Sequence, residues 1–259
     1  PDTARMEMQN FFEVALNPLG ITKFLHTVTS GYTISALFVI GISAWFLIQK
    51  RHILLAKKSI VVASAFGLIT SAFLLLSGDE SAYLAAQKQP MKLAAMEGLY
   101  KGEQNAGLVA AGILNPAKKL GDESDAFLFE IKVPYALGIM ANRELDSFTP
   151  GINDLLYGNS EHNLISVEEK MAKGKVAIEA LKNYKEAKKA NDESLMKSSL
   201  SNLESNLNFL GYGYLKDAKD AVPPVALTFY SFHIMVALGT YFIALFAITL
   251  YLNLSRKYK

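Results

Sequence analysis

Three stretches of this chain carry no Lys, Arg, Asp or Glu: Phe24–Gln49, Ser59–Gly78 and Ala221–Ser255, of 26, 20 and 35 residues. An apolar run of roughly 20 residues is what a helix rising about 1.5 Å per residue needs to cross a hydrocarbon layer of about 30 Å. All of the 26 Lys+Arg and 24 Asp+Glu fall elsewhere, a segregation foreign to soluble globules. The expected fold is all-α, a polytopic transmembrane helical bundle with three spans. The net charge of +2 gives no basis for a nucleic-acid partner. With no cysteine in the sequence, thiolate-ligated haem, iron–sulfur clusters, covalently attached haem and disulfides are excluded. Histidine and methionine remain as metal ligands. The opening Pro1-Asp2-Thr3-Ala4-Arg5 has neither an initiator Met nor the order of a signal peptide, so a piece of a longer chain is expected.

Charge also sets the expected topology. Lys50–Lys58 holds Lys50, Arg51, Lys57 and Lys58 without an acid, and the third span runs into Arg256, Lys257 and Lys259; both belong on the cytoplasmic side. Residues 1–18 then form an outer interfacial segment, with a helix over Met6–Leu16 stopped by Pro18, which fits an opening turn or first helical turn. Spans follow at 19–49 and 59–78 around a cytoplasmic turn at 50–58. An extracytoplasmic domain occupies 79–222, a third span 223–254, and a cytoplasmic tail 255–259. Residues Asp79–Asp220 number 142 with 17 basic and 21 acidic side chains, a water-exposed composition. Within them Ser166 and Glu169 form a capping box opening a Lys/Glu-rich helix, and Glu193–Leu210 continues helical. Phe127–Ile139 is either a strand or a helix broken at Pro134.

Metal-binding side chains inside a span are functional candidates. His26 and His233 qualify; His52 and His162 read as surface histidines. The helical face of His26 carries Thr29, Ser30 and Thr33, and Met235 stands between Ser231 and Gly239 at i−4 and i+4. Such small faces suit a flat macrocycle. His26 and Met235 also fall at similar depths, roughly 10 and 15 Å from the outer ends of their spans. An imidazole opposite a thioether across a haem makes a low-spin iron of raised potential, suited to electron transfer. In the alternative, His26 is hydrogen-bonded to a neighbouring helix and Met235 packs, since small faces also serve helix association. His233 lies about 200° of helix from Met235, so the two cannot share one iron.

Gln89 to Gly98 reads as a short helix begun at Pro90 and ended at Gly98. Within it Lys92 can stabilise a developing quinol oxyanion and Glu97 can accept a hydroxyl proton. The alternative is an amphipathic surface helix; at i,i+5 the two side chains stand about 140° apart.

Taken in order, Lys23-Phe24-Leu25-His26-Thr27-Val28-Thr29-Ser30-Gly31-Tyr32, a Gly78-Asp79-Glu80-Ser81 turn, Lys92-Leu93-Ala94-Ala95-Met96-Glu97, Val133-Pro134-Tyr135-Ala136-Leu137-Gly138, Leu210-Gly211-Tyr212-Gly213 and Ile234-Met235-Val236 resemble subunit I of the cytochrome bd quinol oxidases. The resemblance implies that His26 and Met235 are the axial ligands of the low-spin haem b, and that Lys92 and Glu97 serve quinol binding and oxidation in the outer Q-loop. It implies high-spin haem b and haem d in the intact subunit, subunit II as heterodimer partner with room for a small accessory subunit, contact with membrane lipid, and a bacterial cytoplasmic (inner) membrane location. Where the family usually has arginine two residues before the ligating methionine, this chain has His233, which would lie near the haem. The family subunit has about nine helices, of which this chain resembles the fifth to seventh, so the oxygen-reducing site is expected outside it. The rivals are a haem-b membrane anchor of another quinone-linked dehydrogenase and a non-enzymatic membrane scaffold.

Overall fold

In the computed structural model, which describes residue 8 and residues 10–255, the chain is mainly helical. Among the described residues nine α-helices follow in order: α1 Phe11–Ala15, α2 Pro18–Ile48, α3 Ile53–Lys88, α4 Pro90–Glu97, α5 Ala136–Asn142, α6 Ile152–Tyr157, α7 Val167–Ala190, α8 Glu193–Asn206 and α9 Val225–Leu254. Strands β1 (Glu103–Gln104) and β4 (Phe148–Thr149) form one antiparallel pair, β2 (Leu108–Leu114) and β3 (Phe127–Val133) another. Among the described residues three helical segments are long and apolar enough to cross a membrane: Pro18–Ile48, Ile53–Lys88 and Ala218–Leu254. The described residues divide into two compact units, one of residues 10–84 with 231–255, the other of residues 85–230.

In the first unit α2 and α3 form a helical hairpin. Asn17 caps α2 by accepting from the Leu19 and Gly20 amides, and Pro18 takes the first helical position, where its missing N–H costs nothing. The residues α2 buries are Thr29, Thr33, Ala36 and Ser43; α3 answers with Ala63, Ser64, Gly67, Thr70, Ser71 and Ser77 among others. With lipid as apolar as leucine, helices associate through small residues that let backbones approach. Thr29 and Thr33, expected on a face open to a macrocycle, are buried here, Thr33 against α3, while Ser30 is half-buried. Thr33 Oγ1 lies 3.2 Å from Thr70 Oγ1, each hydroxyl also within hydrogen-bond distance of a carbonyl on its own helix, that of Thr29 or Gly67. On α9 the ring of Phe246, fully buried, occupies the space where a side chain at Gly67 would stand.

Two boundaries differ from those the charge pattern predicts. The turn after α2 is short, because Ile53-Leu54-Leu55-Ala56 already favours helix and carries Lys57 and Lys58 into α3. Gly78-Asp79-Glu80-Ser81 is not a turn; α3 runs on to Lys88 through the helix formers Ala82, Leu84, Ala85 and Ala86. The expected Met6–Leu16 helix is shorter: α1 begins at Phe11, capped by Asn10 with Met8 outside it, and ends at Ala15; Met6, Glu7 and Gln9, like Arg256, Lys257 and Lys259, lie outside the described residues.

The second unit holds the charged segment. Ser166 caps α7 by accepting from the Glu169 amide, and Asn191 ends it in a left-handed conformation. Phe127–Val133 is a strand, paired Leu108↔Val133 to Leu114↔Phe127 with β2; Pro134, unable to donate, ends it and Tyr135 turns the chain at φ 64° into α5. The 3₁₀ segment Leu207–Tyr214 lies against α7, with Lys170 over the Tyr212 ring and Lys173 over Phe209. Its approach depends on glycine: a Cβ on Gly174 would collide with the Gly213 amide nitrogen and the Phe209 carbonyl. Gly174→Ala is expected to destabilise this unit by about 3 kcal/mol, measured as a lowered urea midpoint. Gly211→Ala, whose Cβ meets nothing within 4 Å, is expected to stay within about 0.5 kcal/mol of the parent.

Candidate functional site

Helix α4 is the hub of the second unit. Pro90 starts it, and Gly98 ends it at φ 63°, a conformation that favours glycine, in a space walled by Phe127, Leu114 and Phe229. Leu93 packs with Leu99, Ala106, Leu137 and Ala141, while Ala94 and Ala95 pack with Ile152 and Leu155. Such close packing seats Glu97, at i+4 from Leu93 and i+3 from Ala94, on the inner face at 1% exposure. A buried carboxyl is costly unless neutral or paired. Both Glu97 oxygens are buried without a hydrogen bond of normal geometry, although the Val109 backbone lies near enough to favour the charged form. Desolvation outweighs that weak contact and pushes the carboxyl up to about 7. Lys92 is exposed on the opposite face. The two therefore do not meet; Glu97 is a buried carboxyl whose proton affinity lies near neutrality, and Lys92 is a solvent-facing cation.

In the other unit His26 is half-buried on α2, and its Nδ1 lies 3.0 Å from Ser77 Oγ on α3. The bare backbone of Gly78 borders the ring: a Cβ there would lie 3.4 Å from His26 Cε1. Met235 stands on α9 at 52% exposure, and a Cβ at nearby Gly239 would meet nothing within 4 Å. The structure gives His26 a partner on α3 and does not join it to Met235. His233 is half-buried, its ring edge-on to Phe232. As donors, an imidazole with one nitrogen engaged and a thioether on an open, small-residue face fit a six-coordinate haem iron. His52 is exposed beside Phe46, and His162 stacks on Phe148 at 3.5 Å. Among the described residues no cluster of three or more His, Cys, Asp or Glu side chains is arranged to hold a metal ion.

Ser77 is the residue that sequence reasoning missed. His26–Ser77 and Thr33–Thr70 obey one antiparallel register, seven residues apart on each helix. That heptad step across a short turn was a signal available in the sequence.

Comparison with known proteins places these features in context. The family model for "Cytochrome bd terminal oxidase subunit I" matches residues 1–258. The cytochrome bd-II ubiquinol oxidase subunit 1 of Escherichia coli K12 is 32% identical over 273 residues, covering 99% of this chain and 49% of that protein. The cytochrome bd ubiquinol oxidase subunit 1 of Bacillus subtilis is 31% identical over 166 residues, covering 61% of this chain and 34% of the relative. The chain thus spans about half, or less, of the length of these relatives. The structure of bd oxidase from Geobacillus thermodenitrificans shares the fold, with a TM-score of 0.50 at 20% identity over 96% of this chain and 61% of that one.

Proposed function

The chain belongs to the cytochrome bd terminal oxidase subunit I family, and from that premise we propose that it carries the quinol-oxidising domain and the first electron-accepting site of a membrane quinol oxidase. The observation that carries this reading is Glu97. A carboxyl at 1% exposure with an affinity for protons near neutrality is what general base catalysis on a quinol hydroxyl requires. Oxidation of a quinol must shed hydroxyl protons along with electrons. Glu97, ionised, takes a proton from the hydroxyl; Lys92, on the solvent face of the same helix, neutralises developing negative charge at the rim.

His26 and Met235 are the residues that would hold a haem b, through an imidazole nitrogen and the thioether sulfur. Bound there, the group supplies one-electron acceptance at a raised potential. His26 contributes a neutral σ-donor held by α3, Met235 a soft donor on α9, and His233 a titratable side chain where an arginine would carry a fixed charge. With the basic Lys50–Lys58 segment on the cytoplasmic side, the charged 85–230 segment lies on the outer side and the spans sit in a bacterial inner membrane. High-spin haem b, haem d and oxygen reduction belong to the rest of the subunit.

Exposed Phe38, Trp45, Ile69, Leu75, Leu238 and Ile248 on the spans are suited to lipid, to the subunit's other helices and to subunit II. The test is an absorption spectrum of the intact oxidase in membranes. A low-spin b-type band reduced by added quinol is the expected result; a band that quinol does not reduce would favour the anchor of another dehydrogenase, and no band a scaffold.

A further inference from the structure

We propose that Ser77 is the positioning residue for the His26 imidazole, its hydroxyl oxygen accepting the Nδ1 proton and so fixing the tautomer that leaves the lone pair on Nε2. The inference rests on the reading of His26 as a haem ligand and adds to it a residue on a different helix. The proton count carries it. A serine hydroxyl has one hydrogen and two lone pairs. Ser77 Oγ donates that hydrogen to the Leu74 carbonyl at 3.1 Å. With that hydrogen on the Leu74 carbonyl, the same oxygen accepts from His26 Nδ1, 3.0 Å away, and the assigned tautomer has the proton on Nδ1. A neutral imidazole protonated at Nδ1 is a metal donor at Nε2 alone.

The surroundings make this contact a fixed one. Ser77 is buried at 9% exposure, and its height relative to His26 is set by the hairpin register, locked two turns away by Thr33 and Thr70. At Gly78 the added Cβ would already touch His26 Cε1 at 3.4 Å, so a side chain larger than a methyl would press on the ring. The imidazole is thus held at Nδ1 by one residue of α3 and bordered by the bare backbone of the next. An acceptor on the far ring nitrogen makes the ligating nitrogen more basic and fixes ring rotation. The more basic ligand favours the ferric state.

The test uses the intact oxidase in membranes with Ser77→Ala, Ser77→Thr and His26→Ala. In Ser77→Ala the low-spin haem is expected to shift to a higher midpoint potential, and its ferric low-field electron paramagnetic resonance line to broaden as ring rotation is released. Ser77→Thr, which keeps the hydroxyl, is expected to restore both. Complete loss of the low-spin band is expected in His26→Ala; retention there would overturn the ligand reading and this inference with it. If His26→Ala loses the band while Ser77→Ala matches the parent in potential and line width, the role of Ser77 is overturned and the ligand reading stands. Loss of haem in both serine variants would reduce Ser77 to packing and equally overturn it.

Discussion

Glu97→Gln is expected to lower quinol turnover by at least about 100-fold, the lower end of what a positioned acid or base contributes, with the reduced low-spin haem band at parental intensity. The amide matches the carboxyl in shape and, at 1% exposure, occupies the same packed site against β2. It accepts no proton. A defect confined to turnover, measured with saturating quinol beside an intact haem spectrum, separates proton acceptance from folding; parental turnover would remove Glu97 from the mechanism. Lys92→Ala is expected to have a smaller effect, because an exposed cation acts through water.

The same carboxyl makes activity and stability respond oppositely to pH. Turnover is expected to rise as pH increases through about 7, where Glu97 becomes ionised in the folded protein. For stability, the unfolded carboxyl titrates near 4.5 and the folded one near 7. Below the lower value both states hold the proton and Glu97 imposes no penalty. Between the two only the folded state holds it, so stability falls as pH rises, and above the upper value the loss levels off at about 3 kcal/mol. Glu97→Gln lacks this dependence. Urea midpoints at pH 5 and pH 8 should therefore favour the variant increasingly at the higher pH; an equal difference at both would refute the burial-driven shift.

How far the molecule could be read from its sequence depended on the range of each interaction. The three long helices and the Pro90–Glu97 helix were legible because length, apolarity and terminal Pro and Gly act locally. So was α7, announced by Ser166 and Glu169. The strand Leu108–Leu114 was not: Val-Ala-Ala-Gly has little strand preference, and its pairing with β3 is long-range. Continuation of α3 through Gly78–Ser81 was missed because glycine and acids usually mark an end, whereas here Gly78 keeps clear of the His26 ring. The 140° separation of Lys92 from Glu97 was legible; that Glu97 faces inward required the fold. The small face of His26 suited a macrocycle or a helix alike; that Thr33 packs at Thr70 of α3 depends on the α2–α3 register and required the fold.

Met235→Leu is expected to abolish the low-spin haem signature, and His26→Ala to do the same. The leucine change nearly conserves volume at a residue 52% exposed, so its packing cost should stay below about 1.5 kcal/mol, too little to unfold a long apolar helix. It removes the thioether, the only metal-donor atom on that side chain. His26→Ala deletes the imidazole and its bond to Ser77, yet leaves the Thr33–Thr70 contact and the small-residue seam of α2 and α3 in place. Loss of the band in both, with normal membrane levels of the protein, would assign two helices to one iron. His233→Leu supplies the internal comparison: about 200° of helix separates it from Met235, so it should alter the haem's potential while the low-spin band persists. An unaltered band in Met235→Leu together with a lost one in His233→Leu would exchange the two assignments on α9 and leave His26 in its role.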